Sequence, residues 1–166
     1  MTMNWPQYSK KEIDKVKKII QSGKVNYWTG LECKKFEKEF AKYFGLNYCI
    51  TVANASLGLE AAVLSLKLKK NDEVITTPRS YNSTASSILR AGAKVVFADI
   101  DKKTQNIDPK SIEKNITKNT KAIICVHLGG MPCDMRSIQK ITKKYNLKLI
   151  EDCSQAHGAK YFNKFV

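Results

Sequence analysis

From residue 48 onward, short apolar runs alternate with stretches of helical length, and this alternation constrains the chain more than any other feature. Tyr48 to Val52, Glu73 to Thr76, Lys94 to Ala98, Lys121 to Val126 and Leu147 to Ile150 read as strands, the fourth strongly β-branched. Helical stretches separate them: Ser56 to Leu68, Asn82 to Ala91 stopped by Gly92, a helix opened by Asp108-Pro109, and one capped by Asp134 that runs to about Tyr145. Asp followed by Pro is a helix-start signature, because proline fits the first turn, where its missing N–H costs nothing. Strands that alternate with helices of this length are joined by right-handed crossovers and build a largely parallel sheet. The expected fold class is α/β.

Two helices precede the alternating part. Ser9 with Glu12 three positions on has the capping-box spacing, and Ile13, Val16, Ile19 and Ile20 recur at helical period up to Gly23. A loop with two large aromatics, Tyr27 and Trp28, leads to a second amphipathic helix bearing Phe36, Phe40, Tyr43 and Phe44 and closed by Gly45. After Ile150 the mixed polar and aromatic segment Glu151 to Val166 offers no closing helix, so the sheet is expected to have an uncovered edge and the chain reads as cut. No internal repeat, low-complexity tract or linker divides its 166 residues.

Composition narrows the function classes. The formal charge of +14 comes almost wholly from lysine, and the lysines follow the outer faces of helices. No interleaved aromatic platform or groove-reading motif accompanies them, which argues against nucleic-acid binding. No run approaches the roughly 20 apolar residues of a membrane helix, and the polar N-terminus lacks a signal-peptide core; the expected location is the cytoplasm. Five cysteines occur singly, with no C-x-x-C pair, a pattern of reduced thiols and not of disulfides or zinc ligands.

In an open α/β sheet, ligands bind beyond the carboxyl ends of the strands. The first of those ends is Ala53-Asn54-Ala55-Ser56, where a helix N-terminus can face an anion or where Asn54 is simply a cap. The second is Thr77-Pro78-Arg79-Ser80-Tyr81, whose tyrosine either lies on a ring-shaped ligand or fills space. The third carries His127 before Gly129-Gly130, a position where a histidine is more often structural than catalytic. The last delivers Glu151 and Asp152, then Gln155 and His157. A carboxylate at the end of an apolar strand wants a cation. Two adjacent carboxylates point to opposite faces and suit a metal poorly, whereas a protonated ring nitrogen needs only one of them, Asp152 or Glu151.

Taken in order, these segments resemble the DegT/DnrJ/EryC1/StrS family, pyridoxal-phosphate sugar aminotransferases of fold type I. The resemblance runs from Asn26-Tyr27-Trp28-Thr29-Gly30 through Asn54-Ala55-Ser56, Thr77-Pro78-Arg79 and Val96-Phe97-Ala98-Asp99. It ends in His127-Leu128-Gly129-Gly130-Met131-Pro132-Cys133-Asp134-Met135 and in Glu151-Asp152-Cys153-Ser154-Gln155-Ala156-His157-Gly158, the most specific segment. It implies a three-layer α/β/α arrangement like the large domain of those enzymes, with residues 1–166 as its N-terminal part and the small C-terminal domain absent. It implies further that Ala55, Ser56 and Leu57 hold the phosphate of pyridoxal 5'-phosphate. Tyr81 would stack on the ring, Asp152 would pair with the ring nitrogen, and Gln155 would lie near the ring hydroxyl. Trp28 and Thr29 would border the substrate.

The family's reaction carries an amino group from an amino acid, commonly glutamate, to a nucleotide-linked keto-sugar, and its members work as homodimers. The resemblance places the Schiff-base lysine beyond the Asp-x-x-Gln segment, so no catalytic residue is assigned within this chain; Lys160 and Lys164 come too early to match. The expectation is thus a chain inactive alone. Its alternatives are a lysine-less binding module or partner subunit of a split enzyme, and a basic nucleic-acid-binding α/β protein. Dehydratases of the family use a histidine at the lysine position.

Overall fold

The computed structural model describes residues 6–166. They fall into two units, one ending at Thr51 and the other running from Val52 to Val166.

In the first unit, α1 (Lys10–Gln21) begins with the capping box expected of Ser9 and Glu12: each side chain satisfies the other's backbone N–H. Helix α2 (Glu32–Phe44) ends at Gly45 in the left-handed conformation that glycine adopts without strain. Between them Asn26 organises the loop, its Oδ1 accepting from the backbone N–H of Trp28 and of Thr29, each at 3.0 Å, and from the Thr29 hydroxyl. Gly30 closes it, and a side chain there would meet the Lys24 carbonyl oxygen at 2.6 Å.

The second unit holds the sheet. Four strands, β1 (Glu73–Thr76), β2 (Lys94–Phe97), β3 (Thr120–Val126) and β4 (Lys148–Asp152), pair entirely in parallel in the order β2-β1-β3-β4. The connecting helices are α3 (Ala55–Ser65), α4 (Asn82–Arg90), α5 (Pro109–Lys114) and α6 (Met135–Tyr145). Side chains alternate across each strand, and so the core divides in two. Ile75, Ile123 and Cys125 pack with Ile112, Ile138 and Ile141 of α5 and α6. Val74, Ala122 and Ile124 pack with Leu59, Val63 and Ile88 of α3 and α4. Three layers result, as the resemblance implies.

One sequence expectation needs correction. Tyr48 to Val52 is not a buried strand: Tyr48 is 88 % and Ile50 81 % exposed, and among the described residues no strand pairs with the run. Apolar, β-prone residues make a strand only where a ladder accepts their backbone groups. Here the Thr51 N–H goes to the Glu37 carboxylate instead, at 2.8 Å. The segment after β4, read as offering no closing helix, has none and contains a hairpin of β5 (Lys160–Tyr161) and β6 (Lys164–Phe165) joined at Phe162-Asn163.

Candidate functional site

The residues that open α3 and those that follow β1 meet at one cavity. Asn54 caps α3, its Oδ1 accepting from the Leu57 N–H at 3.1 Å, while the Gly58 N–H returns to the Asn54 carbonyl. Of the first-turn N–H groups, those of Ala55 and Ser56 therefore remain at the open, positive end of the helix. The Leu57 N–H, expected to help hold an anion, is already engaged; its side chain is half exposed instead. Tyr81 occupies the N-cap position of α4 with its ring 74 % exposed. Asn54, Ser56, Leu57 and Tyr81 line a cavity of about 580 Å³ between the two helices, which the Glu60–Arg90 pair (3.5 Å) also borders.

The end of β4 separates its two acids. Ile150 belongs to the α3–α4 core and Leu149 packs on the α5–α6 core. By alternation Asp152 follows Ile150 onto the α3–α4 face and Glu151 follows Leu149 onto the other. Asp152 is only 8 % exposed, and the hydrogen bonds it receives, from the Ser154 N–H (3.0 Å) and hydroxyl (2.5 Å), both fall on Oδ1. Such a carboxylate is left with one oxygen for a cation.

Glu151 is committed elsewhere. Its Oε2 lies 3.2 Å from Nε2 of the fully buried His127, whose Nδ1 accepts the Cys133 N–H at 3.0 Å. That backbone donor holds the neutral tautomer with its hydrogen on Nε2, since a second proton on Nδ1 would meet the Cys133 N–H head-on. Burial acts in the same sense. The hydrogen bonds of Cys133, Cys153 and Glu151 pull the other way and push the pKa of the ring up to about 11, but a second proton has no room on the Nδ1 that the Cys133 N–H already occupies. His127 is a structural pin that ties the loop after β3 to β4.

Gln155 reaches back to the same loop, where its Oε1 accepts the Gly129 N–H at 2.7 Å. Gly130 sits alongside at φ +87°, a conformation that favours glycine, and a Cβ there would lie 3.4 Å from the Gln155 carbonyl oxygen. Trp28 and Thr29 belong to the first unit, where Trp28 is 86 % exposed and meets Tyr27 edge-to-face at 5.8 Å.

Residues 6–166 match the DegT/DnrJ/EryC1/StrS aminotransferase family. The chain belongs to that family. It is 44 % identical over 160 residues to the dTDP-3-amino-3,6-dideoxy-alpha-D-galactopyranose transaminase of Aneurinibacillus thermoaerophilus, an alignment covering 96 % of this chain and 44 % of the relative. The solved aminotransferase of Psychrobacter cryohalolentis superposes with a TM-score of 0.95 at 46 % identity, over 98 % of this chain and 41 % of that one. The E. coli GDP-4-keto-6-deoxy-D-mannose-3-dehydratase with bound hydrated PLP gives 0.87 at 30 %, over 96 % and 42 %. This chain thus spans less than half the length of the relatives it matches.

Enzymes of the DegT/DnrJ/EryC1/StrS family depend on pyridoxal phosphate, and the residues on the α3–α4 face fit its chemistry. A helix end with two open N–H groups suits a phosphate, an exposed tyrosine ring suits a planar heterocycle, and a nearly buried carboxylate with one spare oxygen suits a protonated nitrogen. The sequence also held a signal that went unread. Asp152 and Ser154 stand two apart, the spacing at which an aspartate folds the backbone around its own side chain, and that turn orients Asp152.

Proposed function

We propose that this chain supplies the cofactor-holding face of a nucleotide-sugar aminotransferase, in which an amino acid such as glutamate gives its amino group to a keto-sugar carried on a nucleotide. The observation that carries the reading is the sorting of Asp152 onto the face shared by α3 and α4, with Glu151 turned away to His127. The Ala55 and Ser56 N–H groups, with the Ser56 hydroxyl, bind the phosphate. The Tyr81 ring covers the heterocycle, and Asp152 keeps its nitrogen protonated. Gln155, anchored on Gly129, lies beside the ring hydroxyl, while Trp28 and Thr29 border the substrate. Pyridoxal phosphate, when bound, supplies an electron sink for the substrate carbon that loses its proton. The carboxylate of Asp152 deepens that sink, because it stabilises the protonated ring.

None of the lysines on the hairpin serves this face. Lys164 lines a groove with α6, which packs on the opposite side of the sheet, and Lys160 lies over the Phe165 ring at 4.7 Å. We therefore expect these 166 residues to hold the cofactor without a covalent bond, and the full reaction to require a lysine from another segment or chain, in a homodimeric enzyme. The test is titration of the purified chain with pyridoxal phosphate, followed by borohydride. Saturable binding that Asp152→Asn weakens, with no adduct after reduction, is the expected result. A reduced adduct on one lysine of this chain would overturn the non-covalent reading, and binding indifferent to Asp152 would overturn the site.

A further inference from the structure

Asn106 lies in the connection between β2 and α5 and is only 2 % exposed. Burying a primary amide is unfavourable unless its donors and its acceptor are engaged. This side chain reaches across to the loop after β3 and bonds both of its ends. Oδ1 accepts the Leu128 N–H at 3.1 Å, and Nδ2 donates to the Met131 carbonyl at 2.8 Å. A flipped amide would set donor against donor and acceptor against acceptor, so the two partners fix its orientation.

The local chain presents Asn106 in this pose. The Asp101 carboxylate folds the backbone around itself, accepting the N–H groups of Lys103 and Thr104 at 3.0 and 2.8 Å. Gln105 then turns at φ +62°, a conformation uncommon outside glycine. The Asp101 N–H donates to the Asn106 carbonyl, and Ile100 pairs with Ile107 across the base of the turn. Asn106 is thereby swung from a surface turn into the interior.

The loop it clamps carries the anchor of Gln155. Between Leu128 and Met131 the backbone passes through Gly129 and Gly130, at φ +59° and +87°. Two successive glycines restrict their own conformation very little, and restraint has to come from outside the loop. The Gly129 N–H donates to Gln155 Oε1 at 2.7 Å. That bond occupies the acceptor of the Gln155 amide and leaves Nε2, which bonds no described residue, as a donor.

We propose that, with pyridoxal phosphate held on the α3–α4 face, Asn106 is a positioning residue for Gln155, a role that rests on that reading of the site. By closing the loop from Leu128 to Met131 it fixes the Gly129 N–H, and through it the amide that presents Nε2 to the oxygen of the ring hydroxyl. When ionised, that oxygen accepts a charge-assisted bond from Nε2; an amide turned the other way would offer it only Oε1.

The test is titration of the whole chain with pyridoxal phosphate and with its analogue that lacks the ring hydroxyl. The unchanged protein should prefer pyridoxal phosphate by about tenfold or more. Gln155→Ala should bring the two affinities within about twofold of each other, and Asn106→Ala should do the same without touching either ligand. The double variant should lose no more preference than either single one, because both residues act through one bond. Lost stability alone would weaken both ligands equally and leave the preference intact. In the ligand-free protein, Asn106→Ala should also speed hydrogen exchange of the Gly129 amide by about tenfold. Where Asn106→Ala does not fold, Asn106→Ser, whose hydroxyl can keep at most one of the two bonds, should show both effects in smaller measure. A folded Asn106 variant with the full preference, or with unchanged exchange at Gly129, would overturn the proposal and leave the cofactor site standing. So would an unchanged protein that binds both ligands equally. Absence of saturable binding of pyridoxal phosphate by the unchanged chain would overturn the site itself, and the positioning role with it.

Discussion

Glu151 and Asp152 are neighbours on one strand, yet they meet opposite surroundings. Glu151 faces the α5–α6 layer and is fixed by His127, itself fixed by the Cys133 backbone. Asp152 follows Ile150 onto the α3–α4 side and is supported on one oxygen by Ser154. The first arrangement uses up the bonding capacity of its groups; the second leaves some over. A charged group with capacity in reserve is equipped for a ligand, and a saturated one is equipped for stability. Chemical type does not separate the two carboxylates. The pleat does.

The comparison breaks most visibly at His127. His127→Ala opens a hole under the loop after β3 and strands both the Cys133 N–H and Glu151. We expect a loss of about 3 kcal/mol in stability by urea denaturation, with unchanged affinity for pyridoxal phosphate in the fraction that stays folded. A matching fall in affinity would mean that the two faces are not independent. Asp152→Asn should do the reverse: affinity for the cofactor drops about tenfold or more, as expected for a charge-assisted hydrogen bond of about 1.5–3 kcal/mol, while stability changes by less than about 1 kcal/mol. Glu151→Gln keeps a hydrogen-bond acceptor for His127 and should cost about 1 kcal/mol in stability, with no effect on cofactor titration.

The smallest expected effect concerns the pH dependence of stability. Asp134 caps α6 through Ser137 and accepts the Tyr161 hydroxyl at 2.8 Å. Partial burial raises its pKa, but the bonds from Ser137 and Tyr161 and the charge of Arg136 lower it further, leaving it below the usual carboxylate value. A carboxyl group lowered by folding stabilises the protein above its unfolded pKa and loses that contribution as the pH falls through the folded value. Asp134→Asn should therefore lower stability slightly in the neutral range, where that contribution is present, and flatten the acid limb, the difference from the unchanged protein closing as the pH falls below about 4. An acid limb identical to that of the unchanged protein would remove Asp134 as its source.

Much of this was legible in the sequence because it rests on local chemistry. The capping box at Ser9, the Asn54, Asp108 and Asp134 caps and the four strands of the sheet follow from residue type and spacing. The candidate positions at Ser56 and Leu57 were legible as a helix start and Tyr81 as a strand end, and they share one cavity. Pairing was not legible. Tyr48 to Val52 has a strand's composition but no ladder to join, and the β5–β6 hairpin lacks the glycine that ordinarily announces its turn. Nor could residue types alone choose between Glu151 and Asp152, because that choice depends on which helices cover each face.

The strand order has a consequence for how the chain is made. β1 lies between β2 and β3, but β3 is synthesised last of the three, 43 residues after β1 ends. At roughly 5–20 residues per second, a ribosome needs several seconds to pass from Thr76 to Val126. Throughout that interval one edge of β1 waits without its neighbour, while β2 arrives on the other edge part-way through. The strand at the centre of both cores is thus the one whose arrival is awaited, and these seconds are when a nascent chain of this topology would gain most from a chaperone.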